Sequence, residues 1–173
     1  MILIVAALKA ELLPLINHFR INRKKYFNPG TLYSSDSLHL LRTGVGVDNS
    51  RKTLSEYLEI NQPEKIINIG TAGSLDNKFT IGLMTEPSVV CNEKGEEIYP
   101  KPLFQDQYTF KKTRLITVNH NVTTREQRDK LKNDFNADIV DMEAFALASI
   151  STQNKIDFHN VKIISDNANE QTT

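Results

Sequence analysis

Residues 1–7, Met1-Ile2-Leu3-Ile4-Val5-Ala6-Ala7, are apolar without a break, the pattern of a central strand buried on both faces. Leu12, Leu13, Leu15, Ile16 and Phe19 then recur at helical spacing, so the chain opens as a strand followed by a helix. Pro14 falls within the first turn or so of that helix, where its missing N–H costs little. Residues 20–37 are basic, then rich in Asn, Pro, Gly and Ser, which predicts a connection with a short strand at Thr31-Leu32-Tyr33. Leu38 to Thr43 is the next strand; it runs into Gly44-Val45-Gly46, after which Asp48 or Asn49 caps a helix carrying Leu54, Tyr57 and Leu58. Lys65-Ile66-Ile67-Asn68-Ile69 reads as a strand ending at Gly70, with Gly70 and Gly73 allowing a tight turn beneath a ligand.

The second half continues the alternation. Ser88-Val89-Val90-Cys91 is strand-like and precedes a polar turn over residues 92–97 and an irregular loop holding Pro100 and Pro102. Arg114 to Val118 predicts a strand, and Thr123 or Thr124 opens a helix ending near Phe135. Residues 138–142 lead into the small-residue helix Ala144-Phe145-Ala146-Leu147-Ala148, and Val161 to Ile164 forms the last strand. Strands alternating with helices and no internal repeat predict a single α/β layer structure.

Four short segments stand where predicted strands end: Ala7-Leu8-Lys9-Ala10-Glu11, Asn68-Ile69-Gly70-Thr71-Ala72-Gly73, Val140-Asp141-Met142-Glu143-Ala144 and Ile164-Ser165-Asp166. Ligands of open α/β sheets bind just beyond the carboxyl ends of the strands, so these ends could converge on one pocket. Glu11, Glu143 and Asp166 are 132 and 23 positions apart, and only the fold could unite them. A cluster of three carboxylates suits acid/base chemistry.

Composition narrows the partners. The 173 residues suit one domain. Lys plus Arg equals Asp plus Glu at 21 each, so no long-range field gathers nucleic acid or an anionic membrane. A mean hydropathy of −0.38 and the lack of a bilayer-length apolar stretch argue against a membrane protein. The apolar start lacks the basic leader of a signal peptide. A lone Cys91 excludes an internal disulfide and points to the reducing cytoplasm. His18, His39, His120 and His159 are scattered without metal-ligand spacing, so no metal is expected. The Gly44-x-Gly46 pattern lacks the rest of a dinucleotide fingerprint, and no cofactor is expected. The basic run Arg20 to Lys25 reads as a solvated helix end. Taken singly, Glu11 and Glu143 are charges at helix starts and Asp166 is a turn or capping residue.

Together, and in this order, the segments resemble the purine nucleoside phosphorylase and nucleosidase superfamily, most closely its methylthioadenosine/S-adenosylhomocysteine nucleosidase branch. Ala7-Leu8-x-x-Glu11 is similar to that branch's Ala-Met-x-x-Glu, Asn68 to Gly73 to its Asn-Thr-Gly-Ser-Ala-Gly, Met142-Glu143-Ala144 to its Met-Glu-Ala and Ile164-Ser165-Asp166 to its Ile-Ser-Asp. Thr43-Gly44-Val45-Gly46 matches the family's Ser-Gly-Ile-Gly. The resemblance implies a three-layer αβα sandwich around a central mixed, twisted sheet, shortened in this chain, in one domain over residues 1–173.

It also implies hydrolysis of the N-glycosidic bond of a purine nucleoside, adenine-bearing, such as methylthioadenosine or S-adenosylhomocysteine. Asp166 is then the acid that protonates the leaving base, oriented by Ser165, and Glu11 the group that orients and deprotonates water. Glu143 clamps the ribose hydroxyls with Met142 packed on the sugar. Thr71, Ala72 and Gly73 line the nucleophile's position, and Leu8 and Val122 complete the substrate contacts. The implied partner is a small-molecule nucleoside, and a homo-oligomer, a dimer first, is expected.

The pattern departs from the family in three places. The segment between Val90 and Arg114 is short, Asn121 stands where the nucleosidases carry a base-stacking phenylalanine, and seven residues after Asp166 leave no room for the family's long terminal helix. Two alternatives follow: a phosphorylase, with Arg42, Arg51 or an arginine from another subunit binding phosphate, and a nucleoside-binding protein of the same fold impaired in turnover.

Overall fold

The computed structural model describes residues 1–104 and 110–168. Its elements in chain order are β1 (Ile2–Ala6), α1 (Lys9–His18), β2 (Arg23–Tyr26), β3 (Thr31–Ser34), β4 (Leu38–Arg42), α2 (Val47–Leu58) and β5 (Lys65–Ser74). After them come β6 (Met84–Asn92), β7 (Glu97–Ile98), β8 (Lys111–Thr117), α3 (Arg125–Phe135), β9 (Ile139–Asp141), α4 (Ala144–Gln153) and β10 (Asp157–Asp166). The sheet is mixed: β1 runs parallel to β4 and β5, and β10 parallel to β5, whereas β9 is antiparallel to β5 and β6 to β10.

Helices cover both faces. On one face α2 and α4 pack Leu54, Tyr57, Leu147 and Ile150 against Leu3, Val5, Leu41, Ile66 and Phe158. On the other, Leu12 of α1 packs on Ala6 and Leu40, and Leu131 of α3 on Cys91, Ile116 and Val140. These are the three expected layers, and the apolar run of residues 2–6 lies at their centre between β4 and β5.

Four local expectations change. The strand beginning at Lys65 does not stop at Gly70 but continues to Ser74, pairing with β10 as far as Gly73 opposite Asp166 and with β9 at Gly73 and Ser74. Since β10 also pairs with β6, β6 with β8 and β8 with β9, strands β5, β10, β6, β8 and β9 close into a ring. The glycines serve a strand that passes from open sheet to closed ring, a place where small residues allow bending and close approach. The basic run contains a strand instead of a helix end: β2 is an edge strand, exposed throughout and paired to β3, and its lysines and the Arg23–Asp36 ion pair suit an edge kept from further pairing. Helix α2 begins directly after Gly46, which holds φ +99°, and Asn49 donates back to the Val45 carbonyl at 2.8 Å, so neither Asp48 nor Asn49 is the cap. Helix α1 starts at Lys9, earlier than its apolar spacing suggests, which puts the exposed Pro14 in the second turn. The expectation about the chain after Asp166 falls on residues 169–173, outside the described residues.

Of the two candidate caps for α3, Thr124 is the one used. Its hydroxyl accepts from Gln127 N at 3.2 Å and Gln127 Oε1 accepts from Thr124 N at 3.2 Å, a reciprocal pair. Thr124→Ala should lower stability by about 1 kcal/mol, read as a shifted urea midpoint with unchanged slope.

Candidate functional site

Strand order and register bring the four segments around one cavity of about 320 Å3, and all ten residues singled out from the sequence line it. Leu8 and Glu11 enter from the end of β1 and the first turn of α1, and Thr71, Ala72 and Gly73 from the second half of β5. Met142 and Glu143 follow β9, Ser165 and Asp166 end β10, and Val122 precedes α3. Leu8 and Val45, 48% and 46% exposed, form part of its rim.

Glu11 is held from two sides. Its Oε2 accepts from Leu8 N at 2.9 Å, which ties it to the start of its own helix, and its Oε1 accepts from Thr71 N at 3.0 Å and Thr71 Oγ1 at 3.4 Å. The helix-start role and a role at the cavity therefore coexist in one carboxylate. Gly70 permits the approach, because a Cβ there would lie 3.0 Å from Glu11 Oε1 and 3.5 Å from Lys162 Nζ.

The most buried part of the site was only partly legible. Lys162, 1% exposed, places Nζ 2.9 Å from Asp141 Oδ2. Asp141 also accepts from Ala144 N at 3.0 Å and from Thr117 Oγ1 at 2.7 Å, and Phe145 N donates to that same hydroxyl at 2.9 Å. Asp141 and Thr117 thus supply the capping contacts that α4 lacks from its own N-cap residue, Glu143. Glu143 Oε1 accepts from Gly46 N at 2.7 Å, joining the start of α2 to the start of α4. Burial first, and then the nearby Asp141 charge, push the Glu143 carboxyl up to about 7, against the opposing pull of Lys162 and the Gly46 N–H.

Asp166 is half-buried and accepts from Ser165 Oγ at 2.7 Å and from Ala168 N at 2.7 Å. The expected Ser165 contact is therefore present. A Cβ on Gly73 would lie 3.0 Å from Asp166 Oδ1, so this glycine also leaves room for a carboxylate.

Sequence reasoning passed over Lys162, and it quoted Asp141 without a role. Each had a signal: one charge inside the apolar run Val161 to Ile164, and one inside Ile139 to Met142. A charge at the centre of a buried strand requires a partner, and these two are that pair. Among the described residues Lys162 is the only Lys or Arg lining the cavity. His120 and Asn121 line it as well, whereas His39 is bonded to Tyr57 Oη and His159 to the Lys101 carbonyl. No cluster of three metal-ligating side chains occurs among the described residues.

The sequence matches the Phosphorylase superfamily over residues 1–113 and 103–173, the whole length of the chain. The chain belongs to the phosphorylase superfamily. Within it, the 5'-methylthioadenosine/S-adenosylhomocysteine nucleosidase of Buchnera aphidicola subsp. Baizongia pistaciae is 28% identical over 195 residues, spanning 95% of this chain and 77% of the relative. The Staphylococcus epidermidis protein of the same name is 28% identical over 156 residues, 75% of this chain and 68% of that one. In fold, the 5'-methylthioadenosine/S-adenosylhomocysteine nucleosidase of S. pneumoniae, solved with a transition-state inhibitor, superposes with a TM-score of 0.86 at 17% identity, over 98% of this chain and 87% of that chain. Futalosine hydrolase of Helicobacter pylori gives 0.83 at 16%, covering 98% and 86%. No helix among the described residues is long and apolar enough to cross a membrane.

Two expected outcomes follow from the buried charges. Lys162→Met leaves Asp141 buried without its cation and should cost about 3–5 kcal/mol, whereas adding Asp141→Asn should recover part of that loss; chemical denaturation of the single and double variants measures both. Between pH 4.5 and about 7 the folded chain keeps a proton on Glu143 that the unfolded chain has released. Stability therefore falls as pH rises through this window, by about 2 kcal/mol between pH 5.5 and 8. Glu143→Gln should flatten that part of a stability-against-pH curve.

Proposed function

We propose that this chain, as a single domain, hydrolyses the N-glycosidic bond of a purine nucleoside, with adenine as the base and methylthioadenosine or S-adenosylhomocysteine as substrates. The observation that carries this reading is the meeting of Glu11, Glu143 and Asp166 around one cavity from α1, the start of α4 and the end of β10. The relatives named as nucleosidases support it.

In the proposed reaction the bond between the anomeric carbon and the purine nitrogen breaks with its electron pair leaving on the base. Positive charge grows on the sugar and negative charge on the purine. Asp166 delivers a proton to the imidazole-ring nitrogen of the departing base, with Ser165 Oγ and the Ala168 N–H setting its orientation. Glu143, once ionised, accepts from two adjacent ribose hydroxyls, and Met142 packs on the sugar. Among the described residues lining the cavity, Asp141 is paired with Lys162 and Asp166 supplies the proton, so Glu11 and the ionised Glu143 are the negative groups that stabilise a sugar cation in the transition state. Water held by Glu11 and Thr71 forms the new bond to the anomeric carbon and gives its proton to Glu11. The products are the free base and the 5-substituted ribose.

Phosphorolysis is less favoured because no arginine lines the cavity among the described residues. A cytoplasmic setting fits the single, buried, free Cys91. A homodimer fits the exposed Leu8 and Val45 at the rim, which a second copy would cover.

Free-base release from methylthioadenosine, S-adenosylhomocysteine, adenosine and inosine, with and without phosphate, tests the reading. The expected result is phosphate-independent adenine release, lowered about 100- to 10,000-fold by Asp166→Asn and strongly by Glu11→Gln. Phosphate-dependent release would move the assignment to a phosphorylase, and saturable binding without release to a non-catalytic binding protein.

A further inference from the structure

Asn160 is wholly buried, and neither Oδ1 nor Nδ2 of its carboxamide meets a hydrogen-bond partner among the described residues. It stands on β10 directly opposite Asn68 of β5, and two residues on, Lys162 stands opposite Gly70. Alternate residues of a strand share a face, so Asn68, Gly70, Asn160 and Lys162 form one block on the side of the sheet that α2 and α4 cover. The orientation of Asn68 is set: its Nδ2 donates to the Val5 carbonyl at 3.1 Å and the Ile69 carbonyl at 3.2 Å, which leaves its buried Oδ1 without a donor. The unmet Asn160 carboxamide and the unmet Asn68 oxygen thus stand at paired positions of neighbouring strands, one step along the same face from Lys162 with its buried ammonium.

We infer that Asn160 is a positioning residue: with Asn68 it holds an internal water beside the Lys162 ammonium, and this water fixes where Lys162 stands between Asp141 and the cavity. The chemistry selects water over any larger ligand. Neighbouring strands lie about 5 Å apart, a span that one water bridges with two hydrogen bonds of ordinary length. The water accepts from Asn160 Nδ2 and from Lys162 Nζ and donates to Asn68 Oδ1, the three bonds typical of a buried water. Lys162 has the capacity, since an ammonium carries three donors and among the described residues its ion-pair partner is Asp141 alone.

The placement matters because Lys162 opposes Asp141 in its effect on Glu143. The groups facing Glu143 are Asp141 from β9, Lys162 from β10, Glu11 from α1 and the Gly46 amide at the start of α2. Loss of the water removes one of the contacts that hold the Lys162 ammonium in place, so that it moves off Glu143 and leaves the Glu143 carboxylate less favoured. The acid side of the rate profile then moves to higher pH.

The kinetic part of this inference rests on the nucleosidase reading, and the structural part does not. Asn160→Val should lower kcat about tenfold, leave KM within about twofold, and shift the acid limb of the kcat profile upward in pH. Asn160→Ser, which can still bond water, should recover most of the rate and the original profile. In the unmodified protein, NMR should detect cross-relaxation between the Asn160 side-chain amide protons and a long-lived water, lost in the valine variant. Absence of that signal overturns the water site. A valine variant with unchanged kcat and pH profile, or a serine variant no better than valine, overturns the positioning role. If the unmodified protein releases no base, the nucleosidase reading fails, and the NMR result alone decides the water site.

Discussion

The ammonium of Lys162 lies inside the sheet, where an unpaired charge is untenable, and the rest of the site is arranged around its pairing with Asp141. That pair spans from β10 to β9. Asp141 also caps α4 at Ala144 and receives the Thr117 hydroxyl, so one carboxylate sets β8, β9, β10 and the start of α4 relative to one another. Glu143 is positioned as a consequence. It is the N-cap residue, directly before the first residue of that helix, and its own contact to Gly46 draws in the start of α2. A buried ion pair contributes little net stability. Its value here is geometric, since it connects four elements through directional bonds.

The second constraint is the shared use of β5 and β10. Both strands are ten residues long and lie side by side for most of that length. Their first halves belong to the open sheet with β1, and their second halves help to close the ring through β9 and β6. The cavity forms where the two arrangements meet. Gly70 and Gly73 are required there less for a turn than for room, because Glu11 and Asp166 each approach to within 3.0 Å of the position a Cβ would take.

Elements with strong periodicity were legible from local pattern. The buried run at the amino terminus and the helix that holds Leu54 and Tyr57 appear where hydrophobic spacing puts them, and Thr124, one of two cap candidates, opens α3. Elements whose signal is non-local were misread. Gly70 to Ser74 resembles a turn in sequence yet is strand, because β9 and β10 supply partners that local pattern cannot reveal. The charges of residues 23–25 suggest a solvated helix end, yet the segment pairs with β3 as an edge strand.

The sequence by itself determined the α/β class, through residue type and local spacing, and, through the resemblance of four short segments in fixed order to a known superfamily, ten of the residues that line the cavity. The tertiary structure alone decided the closed ring, the Lys162–Asp141 pair, the raised proton affinity of Glu143 and the double anchoring of Glu11. Each of those arises between groups far apart in the chain, Glu11 and Thr71 or Gly46 and Glu143, whose distance, burial and field exist only after the strands have paired.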